Sequence, residues 1–168
     1  MINEEEPKMC TTSGRPVDVV RSEQTEKVGQ HKDYIVLCPD ERAKGFIRPV
    51  RQDYIHVGQS ICAKGIPHSE PSFEAPKLGG NRNICLLPFE HEGECDGPFM
   101  NVSQHEHARL LQSHRRGGCG TSTHMGLALS ETYARDPKFY GSTFCCMCNR
   151  HLPVAEFVWS KDGEVVGS

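Results

Sequence analysis

The chain has 168 residues, with sixteen Gly, eleven Pro, only 36% hydrophobic residues and a formal charge of −3. That length suits one domain, or one domain with a subdomain, and that composition gives a loop-rich fold whose thin core needs a staple of disulfides or metal. The acidic balance disfavours non-specific binding to phosphate backbones, and no apolar run nears the ~20 residues of a membrane-spanning helix.

Residues 1–30 are acidic and polar, with isolated Cys10, Gly14 and Pro16, and read as an extended or disordered N-terminal arm. The first residues, Met1-Ile2-Asn3-Glu4-Glu5-Glu6, have neither the basic nor the apolar region of a signal peptide. The expectation is therefore a cytoplasmic protein whose thiols stay reduced and whose nine cysteines serve metal rather than disulfides. On that reading Cys10, with no partner nearby, is a free thiol.

Tyr34-Ile35-Val36-Leu37 predicts a first strand, and Cys38 to Gly45 a short helix with Pro39 near its start. Phe46 to His56 resumes extended structure, with Pro49 marking an edge or kinked strand. Lys44, Arg48 and Arg51 make this the one net-basic segment, read as a solvated face.

From Val57 to Gly118 the texture changes to scattered prolines and a Gly-Gly pair. A structureless excursion of this length needs tying down. Cys62, Cys85, His91 and Cys95 supply a second metal site, with His68 as the rival fourth ligand. Within the excursion, Ser103 caps a helix over 104–114 whose His107 and His114 share a face with Leu110 and Leu111, which favours packing over metal binding. After Cys119-Gly120, Thr121 to Arg135 predicts the strongest helix, stopped by Asp136-Pro137.

Phe144-Cys145-Cys146-Met147-Cys148 then forms a knuckle, in which Cys145 and Cys148 have the spacing that converges two thiolates on one tetrahedral zinc. A return strand at Phe157-Val158-Trp159 and a hairpin through Lys161-Asp162-Gly163 end the chain. Two thiolates cannot close the site. If residues 57–118 are an excursion, His56 and Cys119 become neighbours at its base and complete a Cys3His set. His151 is the rival, as Cys-x-x-Cys-x-x-His. The fold class expected is α+β, loop-rich and zinc-stabilised: residues 31–56 and 119–168 form a zinc-ribbon-like core, its knuckle packed on a helix. Residues 57–118 form a metal-tied irregular insert. Two zinc ions would lower the net charge to about −5, since each Cys3His site loses about three protons and gains a 2+ ion.

The stretches Tyr34 to Leu37, Glu41 to Arg51, Met125 to Gly141 and Phe144-Cys145 on to Pro153-Val154-Ala155-Glu156-Phe157-Val158-Trp159 together resemble small proteins encoded by tailed bacteriophages and prophages. In shorter members of that pattern the histidine and the Cys-Gly lie close in sequence, which implies the pairing of His56 with Cys119. The resemblance covers about 100 residues in two blocks, excludes the insert and implies no activity. Phe144 to Phe157 is also similar to the knuckle that accompanies phage HNH nucleases, but the catalytic ββα motif is missing.

Three functions follow as expectations. The first is a phage or prophage accessory protein, not an enzyme, that binds a host or phage protein, as a host-factor or host-defence inhibitor in the host cytoplasm or as a virion component. The alternatives are a nucleic-acid-binding zinc ribbon using Arg48, Arg51, Arg115 and Arg116, or a zinc-dependent hydrolase or deaminase-like enzyme. The deaminase likeness rests on His68-Ser69-Glu70 upstream of the Cys pair, but Phe144 stands where proline is expected.

Overall fold

The computed structural model describes residues 6–25, 28–67, 82–88, 95 and 97–168. Among these the fold is α+β, with four α-helices and five small sheets in which every strand pairing is antiparallel. The chain divides into two compact units: one runs to His56 and resumes at Cys119, and the other is Val57–Gly118.

The first unit is organised on the Asp53–His56 strand, which lies between Phe157–Trp159 and Ser122–His124. Strand alternation sends Tyr54 and His56 inward, and the register sets Trp159 and Phe157 opposite them on the same face. Tyr54 meets Phe157 and Trp159 edge-on at 5.4 and 6.2 Å, and Tyr133 meets Trp159 at 5.7 Å. Such edge-to-face pairs contribute roughly 0.5–1.5 kcal/mol each beyond burial. The buried hydroxyl of Tyr54 donates to the Phe144 carbonyl at 2.5 Å, which ties this core to the knuckle hairpin. Pro49 precedes the strand, so the strand is central rather than the expected edge: its backbone donors and acceptors are all beyond the proline.

The helix expected from Thr121 begins at Leu127. Ser122–His124 is instead a strand paired with Asp53–Ile55. Ser and Thr are weak helix formers, and a ladder against a central strand with Thr123 buried outweighs them. The helix Leu127–Arg135 then fastens the N-terminal region, because fully buried Thr132 donates to Ala128 O at 2.7 Å and accepts from Leu37 N at 3.2 Å.

The N-terminal arm is corrected too. Met9–Thr11 pairs with Ile35–Leu37, and the helix Val17–Glu23 buries Val20 against them. An unpaired Ile35–Leu37 edge would leave backbone groups without partners, and the Met9–Thr11 segment supplies them. Asp33 locks the turn, accepting from Ser13 N at 3.0 Å, from Tyr34 N at 2.9 Å and from the hydroxyls of Thr12 and Ser13. Burial opposes its ionisation, but the Ser13 and Thr12 hydroxyls and the two amides outweigh it and hold the carboxyl below its usual range. Cys10 is not a free thiol: the strand pairing brings its Cα to 4.9 Å from that of Cys38, and the two form a disulfide.

In the second unit, Gly58–Ser60 pairs with Arg115–Gly117, and Gly65–Pro67, Arg82–Cys85 and Phe99–Val102 form a three-stranded sheet. The helix Gln104–Ser113 is capped by Ser103 Oγ, which accepts from Glu106 N at 3.2 Å. The irregular insert is thereby corrected, since Ile61, Ala63, Ile84 and Leu110 form a core of their own. These apolar residues are sparse in sequence and meet only when strands and helix stack. The backbones at the base of this unit touch: a Cβ on Gly58 would lie 2.2 Å from Arg116 O, and one on Gly118 would lie 2.3 Å from Val57 C.

Candidate metal centre

His56 ends the central strand of the first unit, and its backbone fixes Cys119 beside it. Gly120 N donates to His56 O at 2.9 Å and His56 N to Thr121 O at 3.3 Å, through a turn in which Gly120 has φ +71°. Cys145 closes the strand Ser142–Cys145, which pairs with Arg150–Pro153. Asn149, at φ +50°, turns the chain between them, and Cys148 folds back toward Cys145. The donor atoms of His56, Cys119, Cys145 and Cys148 all lie within 4.8 Å of one another.

The spacing fits a tetrahedral ion. Zinc bonds of ~2.3 Å to sulfur and ~2.0 Å to nitrogen put neighbouring ligand atoms ~3.5–3.8 Å apart. Cys119 Sγ and Cys145 Sγ are 3.5 Å apart, and Cys148 Sγ is 3.4 Å from His56 Nδ1. His56 and Cys145 are buried, Cys148 is half-buried and Cys119 faces solvent. Burial opposes ionisation of Cys119, but the Thr121 backbone amide and then the neighbouring His56 and Cys145 side chains draw its pKa down to about 6. Cys148 is pushed up to about 12 by burial and then by the Cys145 and Cys119 thiols. One proton leaves readily, and the negative charge it leaves behind holds the next in place. A divalent cation removes that repulsion.

Cys62, Cys85 and Cys95 form a second group, again with sulfur atoms within 4.8 Å, and Cys62 and Cys95 are 3.8 Å apart. Backbone bonds hold it: Ala63 N donates to Cys85 O and Cys85 N to Lys64 O. Cys95 is raised to about 11 by burial and by the Cys62 and Cys85 thiols. His91, expected as the fourth ligand, and His68, its rival, lie outside the described residues, as does the His68-Ser69-Glu70 stretch. Both groups can hold a metal ion, and soft thiolate donors suit thiophilic metals rather than calcium or magnesium.

His151 sits elsewhere, its Nε2 3.2 Å from the Tyr34 hydroxyl and its ring stacked on His31 at 4.0 Å. His107 Nε2 meets Ala63 O at 3.1 Å. Cys146 is exposed and points to Ser122 O. The nine cysteines thus divide into a disulfide pair, three beside His56, three in the second unit, and Cys146. Arg51 is no solvated cation: it is buried over Trp159 at 4.9 Å and paired with Asp162 and Glu164 at 2.7 and 2.6 Å. Arg48 also reaches Glu164, at 3.6 Å. The sequence reading missed Glu156, whose carboxylate lies 3.1 Å from His56 Nε2. The turn from Pro153 into the Phe157 strand is the signal that places it there.

Among the described residues no helix is long and apolar enough to cross a membrane. No family model matches the chain, and no curated protein or solved structure is similar to it.

Proposed function

We propose that both cysteine groups are structural zinc sites, that the first closes a zinc-ribbon-like knuckle, and that the chain acts by binding another macromolecule, a protein. The observation that carries this reading is the complete first ligand set: His56, Cys119, Cys145 and Cys148 offer four donors within 4.8 Å of one another, with Cys119–Cys145 at 3.5 Å and Cys148–His56 at 3.4 Å. Four protein ligands leave zinc no position for water or substrate, which is the hallmark of a structural rather than a catalytic site. Zinc there fastens the end of the central strand to the knuckle hairpin and offsets two of the three thiolate charges. The acidic balance and the pairing of Arg48 and Arg51 with carboxylates favour a protein partner over a nucleic acid.

The resemblance to phage-borne proteins extends the proposal to an accessory role during infection or prophage maintenance, in the virion or, with the Cys10–Cys38 pair reduced, in the host cytoplasm. X-ray absorption of the purified protein should give three sulfurs and one nitrogen around zinc at the first site. Affinity purification from infected cells, set beside mass spectrometry of purified virions, then separates a host-factor inhibitor from a virion component. Turnover of a nucleotide or peptide by the zinc-loaded protein, with no partner captured by either route, sinks the binding reading.

A further inference from the structure

His56 is held at both ring nitrogens. Its Nδ1 faces the thiols, 3.4 Å from Cys148 Sγ, and accepts a hydrogen bond from Cys119 N at 3.4 Å. A nitrogen that accepts from a backbone amide carries a lone pair and not a proton, so the proton of neutral His56 belongs on Nε2, and the Nδ1 lone pair is the one a metal ion would take in place of the long amide contact. There it meets Glu156 Oε2 at 3.1 Å. Glu156 ends the turn Val154–Glu156, directly before Phe157, whose strand pairs with His56 itself. Its side chain is only 12% exposed and that of His56 2%. Phe157 also packs on the imidazole at 5.0 Å between ring centroids, so the ring is clamped on a face as well as at both nitrogens.

We propose that Glu156 is the positioning residue of the first metal centre: it accepts the Nε2 proton of His56, fixes the tautomer that presents Nδ1 to the ion, and raises the basicity of that nitrogen. The inference rests on the reading of His56, Cys119, Cys145 and Cys148 as a zinc site, and it adds a fifth residue to that site. A carboxylate is the partner this task requires. It holds the proton more strongly than a carbonyl or water, and its negative charge offsets part of the ion's charge through the ring. Glu156 makes no bond to the metal. It acts through His56 alone, so replacing the histidine should abolish its influence.

That dependence supplies the test. Zinc affinity of the full-length chain is measured by chelator competition at pH 7 in four proteins: wild type, Glu156→Gln, His56→Cys, and the double variant. The expected result is a 10–100-fold loss of affinity for Glu156→Gln in the His56 background, and no further loss in the His56→Cys background, where the fourth donor is a thiolate. Equal affinity of wild type and Glu156→Gln overturns the proposal. So does an equal loss in both backgrounds, which marks Glu156 as a support of the strand rather than of the ligand. Long-range proton–nitrogen correlation of the His56 ring in the zinc-loaded protein gives a second reading that does not depend on the cysteine variant folding. Metal on Nδ1 and a proton on Nε2, with that proton's resonance shifted in Glu156→Gln, support the proposal; metal on Nε2 overturns it. If wild type holds no zinc through these four ligands, the zinc-site reading itself has failed. That result is distinct from a site that binds zinc but is indifferent to Glu156.

Discussion

Cys145 and Cys146 are chain neighbours with opposite expected responses to the same substitution. Cys145 has no exposed surface, belongs to the cluster of Tyr54, Tyr133, Phe157 and Trp159, and is a member of the four-donor set. Cys146 is exposed and makes hydrogen bonds a serine can reproduce. If four donors share the roughly 10–16 kcal/mol of apparent binding energy of a structural zinc, each accounts for roughly 2.5–4 kcal/mol. The hydroxyl stranded in Cys145→Ser adds roughly 1–3 kcal/mol. Together these approach the roughly 5–15 kcal/mol that separates a folded domain from its unfolded chain. Cys145→Ser should therefore lose its zinc and unfold the first unit at a much lower urea concentration. Cys146→Ser should stay within roughly 0.5 kcal/mol of wild type, as surface changes do. Trp159, the single tryptophan and a buried member of the affected core, reports the transition by fluorescence, and elemental analysis reports the metal. Equal zinc loss in the two variants, or an unshifted midpoint in Cys145→Ser, would refute the assignment.

Cys85→Ser should reduce the zinc content by one equivalent and leave the Trp159 transition in place, as elemental analysis and urea titration will show. Asp33→Asn should cost roughly 1–3 kcal/mol at pH 7 by weakening the bonds to Thr12, Ser13 and Tyr34. Because the Asp33 carboxyl is lowered in the fold, its contribution is present above the ordinary carboxylate value and is lost as pH falls through the native one; acid titration of the variant should lack that component. Mutating Cys10 to Ser opens a link spanning 28 residues, which corresponds to at most roughly 3.5 kcal/mol of unfolded-chain entropy; a melting temperature unchanged from the oxidised wild type would show that the disulfide does not constrain the chain. Gly58→Ala should destabilise the second unit by roughly 1–3 kcal/mol or more, read by hydrogen exchange at Ile61 and Ile84, because φ is +85° and the new Cβ meets backbone.

Two different kinds of signal in the sequence point to the four residues whose donor atoms the fold gathers in the first group. Cys145 and Cys148 are local, since their spacing alone implies a shared target. His56 and Cys119 are 63 residues apart, and they pair in sequence only when what lies between them is treated as an excursion, a reading the resemblance to shorter phage-encoded proteins also implies. What stayed hidden is non-local in a harder sense. The disulfide joins cysteines 28 residues apart, and an argument from cellular compartment outweighed any sign of their proximity. Thr121 to His124 matched a helical run, and only the presence of a central strand waiting for a partner makes it extended. Glu156 carries no periodicity and no motif of its own. It matters because a strand register places it beside a histidine 100 residues earlier. The core of the second unit was missed for a similar reason: its apolar residues are few per segment and gather only across segments.

The touching backbones at Val57, Gly58 and Gly118 make residues 57–118 a cassette. Its entrance and exit lie side by side, so a short bridge can stand in for the whole of it without stretching the chain that carries His56 and Cys119. Such a junction lets the excursion be lengthened or shortened while the four donors keep their places. It also lets the cassette be lifted out intact and grafted into a surface turn of another protein, provided both glycines travel with it.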